Sequence, residues 1–117
     1  MKAKTILCDI DGTLLQHYNI GISEQVTQRP SLLDGSIQKI NEWDKAGYNL
    51  ILITGRRESQ RKATEEHLSK IGIVYDQLIM GVGGGDRILI NDKKPNGTDT
   101  AFSYNVDRNY GVGDLDI

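Results

Sequence analysis

Thr5-Ile6-Leu7-Cys8-Asp9-Ile10-Asp11-Gly12-Thr13 is the most informative run in this chain of 117 residues. Its first half is apolar and β-branched, as in a short buried strand. Its second half is acidic and reaches a glycine, as in a tight turn. A strand ending here delivers Asp9 and Asp11 to one edge of a sheet. Side chains alternate along a strand, so residues two apart can face the same way. Two carboxylates this close repel each other unless a cation lies between them. Gly12 lets the backbone turn sharply and approach a ligand.

Further along, residues 16–31 are polar and include Gly21 and Pro30, and a loop or short hairpin flap is expected over about 14–32. Asp34 or Ser36 is placed to cap a helix whose apolar positions Ile37, Ile40 and Trp43 recur at helical spacing, with Gly47 as its stop. Tyr48 to Ile53 reads as a second strand, apolar on both faces and therefore central. Glu58 to about Ile71 reads as a charged amphipathic helix closed by Gly72. Gln77 to Met80 reads as a third strand. Arg87 to Asn91 reads as a fourth, ending in Asp92. Ala101 to Val106 reads as a last strand, followed by a glycine-rich tail.

Strands alternating with helices imply an α/β, Rossmann-like three-layer core with a mainly parallel sheet and right-handed crossovers. Ligands of such sheets bind beyond the carboxyl ends of the strands. Asp9 and Asp11 follow strand one, Thr54, Gly55 and Arg56 follow strand two, and Asn91 and Asp92 follow strand four. Three distant segments thus converge on one edge.

The chemistry that convergence permits is phosphoryl transfer. Asp9, Asp11 and Asp92, with Asn91, make an all-oxygen set suited to Mg2+. Asp9 could attack phosphorus and form an aspartyl phosphate. Asp11 could protonate the leaving oxygen and later deprotonate water. Thr54 could offer its hydroxyl and backbone N–H to the phosphoryl group, and Arg56 could clamp an anionic part of the substrate. Gly12, Thr13 and Gly55 complete the phosphate-binding turns. Alone, an Asp-x-Asp pair is usually a solvated turn and a strand-terminal Thr is usually structural. Their placement after buried strands gives them weight. Gly81-Val82-Gly83-Gly84-Gly85 either presents N–H groups to an anion or is simply a flexible turn.

Composition narrows the field. Hydrophobic residues make up 38% and charged residues 26% of the chain, which suits one soluble globular domain over residues 1–117. No apolar run approaches the length of a membrane span, and the acids at positions 9 and 11 interrupt any signal-peptide core. A net charge of −2 argues against nucleic acid bound by bulk charge. The single Cys8 sits among apolar residues, so a buried thiol in a reducing cytoplasm is expected.

Asp9-Ile10-Asp11-Gly12-Thr13 resembles the first motif of the haloacid dehalogenase-like phosphohydrolases. Leu52-Ile53-Thr54-Gly55-Arg56 resembles their second motif, and Arg87-Ile88-Leu89-Ile90-Asn91-Asp92 their fourth. The resemblance spans residue 4 to about 106. It implies a phosphatase with magnesium held by the Asp9 carboxylate, the Asp11 backbone carbonyl and Asp92. There are two departures. Family members carry a lysine or arginine before the fourth motif, where this chain has Gly81-Val82-Gly83. Arg87, Lys93, Lys94 or the amides of the glycine loop are the candidates to replace it. Asn91 stands where many members have an acid.

There is room for a flap over about 14–32 but not for a lid domain. A capless form implies an open site, shielded by a homo-oligomer or by a large substrate. The substrate class favoured is a small phosphorylated molecule such as a phosphosugar. The competing readings are a non-catalytic binding or regulatory domain of the same fold and, far behind, a phosphoacceptor receiver domain.

Overall fold

The computed structural model describes residues 2–17 and 31–117. The middle of the expected flap, residues 18–30, lies outside them. The ordered framework is β1 (Thr5–Asp9), α1 (Ser36–Lys45), β2 (Asn49–Ile53), a 3-10 turn (Glu58–Gln60) running into α2 (Arg61–Ile71), and β3 (Gln77–Ile79). The sheet has the order β1-β2-β3 and both pairings are parallel, so the fold is α/β and Rossmann-like.

The register separates the two faces of the sheet. Paired residues of parallel strands share a face, so Cys8, Leu52 and Leu78 point one way with Leu50. All four are buried and belong to one core cluster with Ile40 and Trp43 of α1 and Leu68 of α2. Two successive crossovers in the same direction with the same hand put both helices on that face. On the opposite face, Leu7 and Ile79 are exposed and Ile51 and Ile53 are half-buried.

Local chemistry accounts for the helices. Ile40 and Trp43 are the buried stripe of α1, spaced as expected. Neither expected cap acts as one: Gly35 occupies the cap position, and the buried Ser36 hydroxyl donates instead to the Leu14 carbonyl at 2.8 Å. On α2, Thr64, His67 and Leu68 recur at helical spacing and are buried, and Gly72 ends the helix in a left-handed conformation.

Three expectations need correction. Arg87 to Asn91 forms no strand, and Ile88, Leu89 and Ile90 are exposed. Composition alone misleads here: among the described residues the segment pairs with no strand, and its first residue instead meets Asp9, with Arg87 Nη1 3.0 Å from Asp9 Oδ1. Ala101 to Val106 is likewise not a strand.

The glycine-rich C-terminus is not a loose tail. Val112 is 1% exposed within the core, and the Asn109 N–H donates to the Gly12 carbonyl at 2.8 Å. Gly111, at φ +101, leaves no room for a side chain, because a Cβ there would lie 2.9 Å from the Asp34 carbonyl oxygen.

Candidate active site

The carboxyl end of β1 carries the site. After Asp9 the chain turns at once: the Gly12 N–H donates to the Leu15 carbonyl at 2.7 Å, and the Leu14 and Leu15 N–H groups both reach the Ile10 carbonyl. Gly12 has φ +89, and a Cβ there would come within 3.3 Å of the Arg108 side chain, so glycine suits both the conformation and the space. The turn is braced from outside. The Asn109 side chain accepts from the His17 N–H at 2.6 Å and donates to the His17 carbonyl at 3.0 Å.

Asp9 is about one-third exposed at the rim. Its Oδ1 accepts from Arg87 Nη1 at 3.0 Å, and its Oδ2 accepts from the Thr13 hydroxyl at 3.3 Å. Arg87, named above as one candidate for the missing basic residue, is thus the cation that meets the Asp9 carboxylate.

Asp11 is held differently. Arg56 Nε donates to its Oδ2 at 2.9 Å and Arg56 Nη2 to its Oδ1 at 2.7 Å, a two-pronged pairing. The third nitrogen of that guanidinium, Nη1, donates to the Thr64 hydroxyl at 3.2 Å. Arg56 is 1% exposed and Thr64 fully buried, while the Asp11 side chain keeps 14% exposure. The guanidinium expected to clamp a substrate is thus turned, through all three of its nitrogens, toward Asp11 and α2.

Thr54 is buried at the end of β2, as the sequence implied. Its N–H donates to the Ile79 carbonyl at 3.0 Å and so belongs to the sheet rather than to a phosphate. Its hydroxyl oxygen accepts from the Arg56 N–H at 3.1 Å, which leaves the hydroxyl proton to donate. Gly55 sits against the Val82 carbonyl, which a Cβ would approach to 3.0 Å. The glycine loop is anchored on this same turn. The Gly81 and Val82 N–H groups donate to the Arg56 and Thr54 carbonyls at 2.7 and 3.0 Å, so neither faces an anion.

Asn91 and Asp92 are exposed and bond to each other, with Asn91 Nδ2 donating to Asp92 Oδ1 at 3.2 Å. Among the described residues, no three acidic, histidine or cysteine side chains form a group able to hold a metal. The Asp9 carboxylate, the Asp11 carbonyl and Asp92 are hard oxygen donors and fit magnesium in kind. The structure brings Asp9, Asp11, Gly12, Thr13, Thr54, Gly55 and Arg56 to one end of the sheet and does not gather Asn91 and Asp92 with them.

Cys8, one residue before the site, is inert. Burial, reinforced by the neighbouring Asp9 charge, pushes its thiol up to about 12. Sequence reasoning missed Thr64 and Asn109. Thr64 could have been found as a polar residue on the apolar stripe of α2. Nothing local marks Asn109.

A family model described as the LNS2 domain of PITM 1-3 matches residues 6–94. No curated protein matches the chain. Among solved structures, a chain of a Pnkp1/Rnl/Hen1 complex is 28% identical, with a TM-score of 0.59 over 74% of this chain and 30% of that one. The D,D-heptose 1.7-bisphosphate phosphatase from B. bronchiseptica, complexed with magnesium and phosphate, is 22% identical, with a TM-score of 0.51 over 71% of this chain and 52% of that one. A Vibrio cholerae protein is 19% identical, with a TM-score of 0.53 over 85% of this chain and 89% of that one. The chain therefore spans about a third of the Pnkp1-complex chain and half of the heptose phosphatase.

Proposed function

This chain belongs to the LNS2-domain family, whose fold is haloacid dehalogenase-like, and from that footing we propose that it is a phosphomonoester hydrolase with Asp9 as nucleophile. One observation carries the reading. Asp9 stands at the carboxyl end of β1 with Thr13 and Arg87 on its oxygens, beside an Asp11 carboxylate fixed by Arg56. Each Asp9 oxygen keeps a second lone pair, so these bonds orient the carboxylate without exhausting it. Arg87 supplies positive charge where an anionic phosphoryl group would meet an anionic nucleophile. Thr54 has a hydroxyl proton to give that group, and Asp11 handles the proton of the leaving oxygen.

Magnesium would be held by the Asp9 carboxylate and the Asp11 carbonyl, and Asp92 and Asn91, exposed and apart from them in this structure, would have to move in to complete the set. When bound, it would offset the repulsion between phosphate and nucleophile. The substrate we favour is small and phosphorylated, such as a phosphosugar. The likeness to a chain of an RNA-repair complex makes an oligonucleotide phosphate its competitor. A cytoplasmic setting accords with the buried thiol, and no helix of the described residues is long and apolar enough to cross a membrane. A capless single domain, shielded by self-association, is part of the same proposal.

A second reading, a non-catalytic domain of the same fold, is favoured by the Arg87 cation on Asp9 and by the exposed Asp92. Assay of the purified chain with magnesium separates the two, using p-nitrophenyl phosphate, a phosphosugar panel and 3′-phosphorylated oligonucleotides. Turnover abolished by Asp9→Asn supports the enzyme. No turnover on any of them supports the binding domain.

A further inference from the structure

All three nitrogens of the Arg56 guanidinium are engaged by protein. Two hold both oxygens of Asp11, the third holds the Thr64 hydroxyl, and the group is 1% exposed. Three of its five N–H donors are taken, and burial keeps the other two from a substrate anion at the rim. Thr64 is fully buried on α2, so it fixes Arg56 to a rigid element rather than to a loop. A carboxylate held by one fork cannot rotate about its last torsion without breaking both bonds. Asp11 still keeps 14% of its side-chain exposure, so it is not sealed off from the rim.

We propose that Thr64 and Arg56 are positioning residues that fix the Asp11 carboxylate as the general base for hydrolysis of an aspartyl phosphate. This rests on the phosphatase reading above. In that step a water oxygen forms a bond to phosphorus, the bond from phosphorus to the Asp9 oxygen breaks, and inorganic phosphate leaves. The water proton goes to an Asp11 oxygen and is passed on to the next leaving oxygen or to solvent. Misplacing a base by a fraction of an ångström lowers the rate of its own step and leaves substrate binding alone.

The test uses the full chain with magnesium and p-nitrophenyl phosphate, whose leaving group departs without a proton. Formation of the aspartyl phosphate then needs no help from Asp11, but its hydrolysis does. Thr64→Val should give a burst of about one equivalent of nitrophenol, then a steady rate lower by about tenfold or more, with KM lowered alongside it and kcat/KM near that of the parent. Thr64→Ser, which restores the hydroxyl, should recover most of the rate. A uniform loss without a burst, an unchanged rate, or no rescue by serine would overturn the proposal.

A second measurement is independent of turnover. The Arg56 Nε–H proton should be protected from solvent exchange in the parent and in Asp9→Asn, and should exchange faster in Thr64→Val. Absent turnover with this protection pattern intact would sink the phosphatase reading but leave the network standing. An Arg56 proton that Thr64→Val does not affect would sink the network itself.

Discussion

Asp9 and Asp11 are two residues apart, yet their removal should have very different consequences for stability. Asp11→Ala deletes both acceptors of the Arg56 fork, at 2.9 and 2.7 Å, and leaves a guanidinium that is 1% exposed. A hydrogen bond to a charged group contributes about 1.5–3 kcal/mol, so two amount to about 3–6 kcal/mol. Removing one partner of a buried pair costs about 3–5 kcal/mol. The 14% exposure of Asp11 lets some water reach the stranded cation and favours the lower end of that range. We expect a loss of about 3 kcal/mol, a large share of the roughly 5–15 kcal/mol that holds a domain together.

Asp9→Ala breaks a pair whose side chains are 35% and 36% exposed, and Arg87 can return to water. The expected loss is about 0–1 kcal/mol. Urea unfolding followed by fluorescence of the single, buried Trp43 reads both values on one protein. Replacing both partners, as Asp11→Ala with Arg56→Met, should recover much of the loss, because the uncompensated charge goes with them. Equal losses for the two aspartates, or an Asp11→Ala loss under about 1 kcal/mol, would refute the assignment of Arg56 as a buried structural cation.

Further predictions concern neighbouring parts of the molecule. Cys8 should resist alkylation at pH 8 in the folded protein and react once unfolded, as a time course with iodoacetamide would show. Its thiol lies above the ordinary value of 9.0 in the fold, at about 12. Its contribution to stability is therefore complete below pH 9 and is lost as pH rises towards 12. Gly111→Ala should lower Tm and cost more than about 1 kcal/mol, since left-handed strain adds to a Cβ placed 2.9 Å from the Asp34 carbonyl. Arg87→Gln should leave urea stability within about 1 kcal/mol of the parent while lowering kcat on an aryl phosphate. Magnesium should raise Tm, and Asp92→Ala should abolish the rise; an unchanged melting curve in excess metal would count against a cation at this site.

The local pattern was enough for the three strands of the sheet, for both helices and for the turn at Gly12. β1, β2 and β3 are apolar runs ending at turns, α1 and α2 carry their buried residues at helical spacing, and Gly12 stands where φ must be positive. A parallel α/β sheet follows from that alternation, and with it the expectation that Asp9, Asp11 and Thr54 meet at one end.

What periodicity cannot express is competition between partners far apart in the chain. Arg56 has three donating faces, and only the packing of α2 against the strand ends shows that Asp11 and Thr64 take them. Arg87 to Asn91 has the composition of a buried strand, but in the finished fold its apolar residues stay exposed and its first residue meets Asp9, 78 residues away in sequence. Val112 and Asn109 sit in a glycine-rich stretch that looks loose by composition, and they are fixed because the core takes the Val112 side chain and the Gly12 carbonyl takes the Asn109 N–H. Side-chain type and spacing are local properties, whereas the partner a charge or carbonyl finds depends on which surfaces the finished fold brings within about 3 Å.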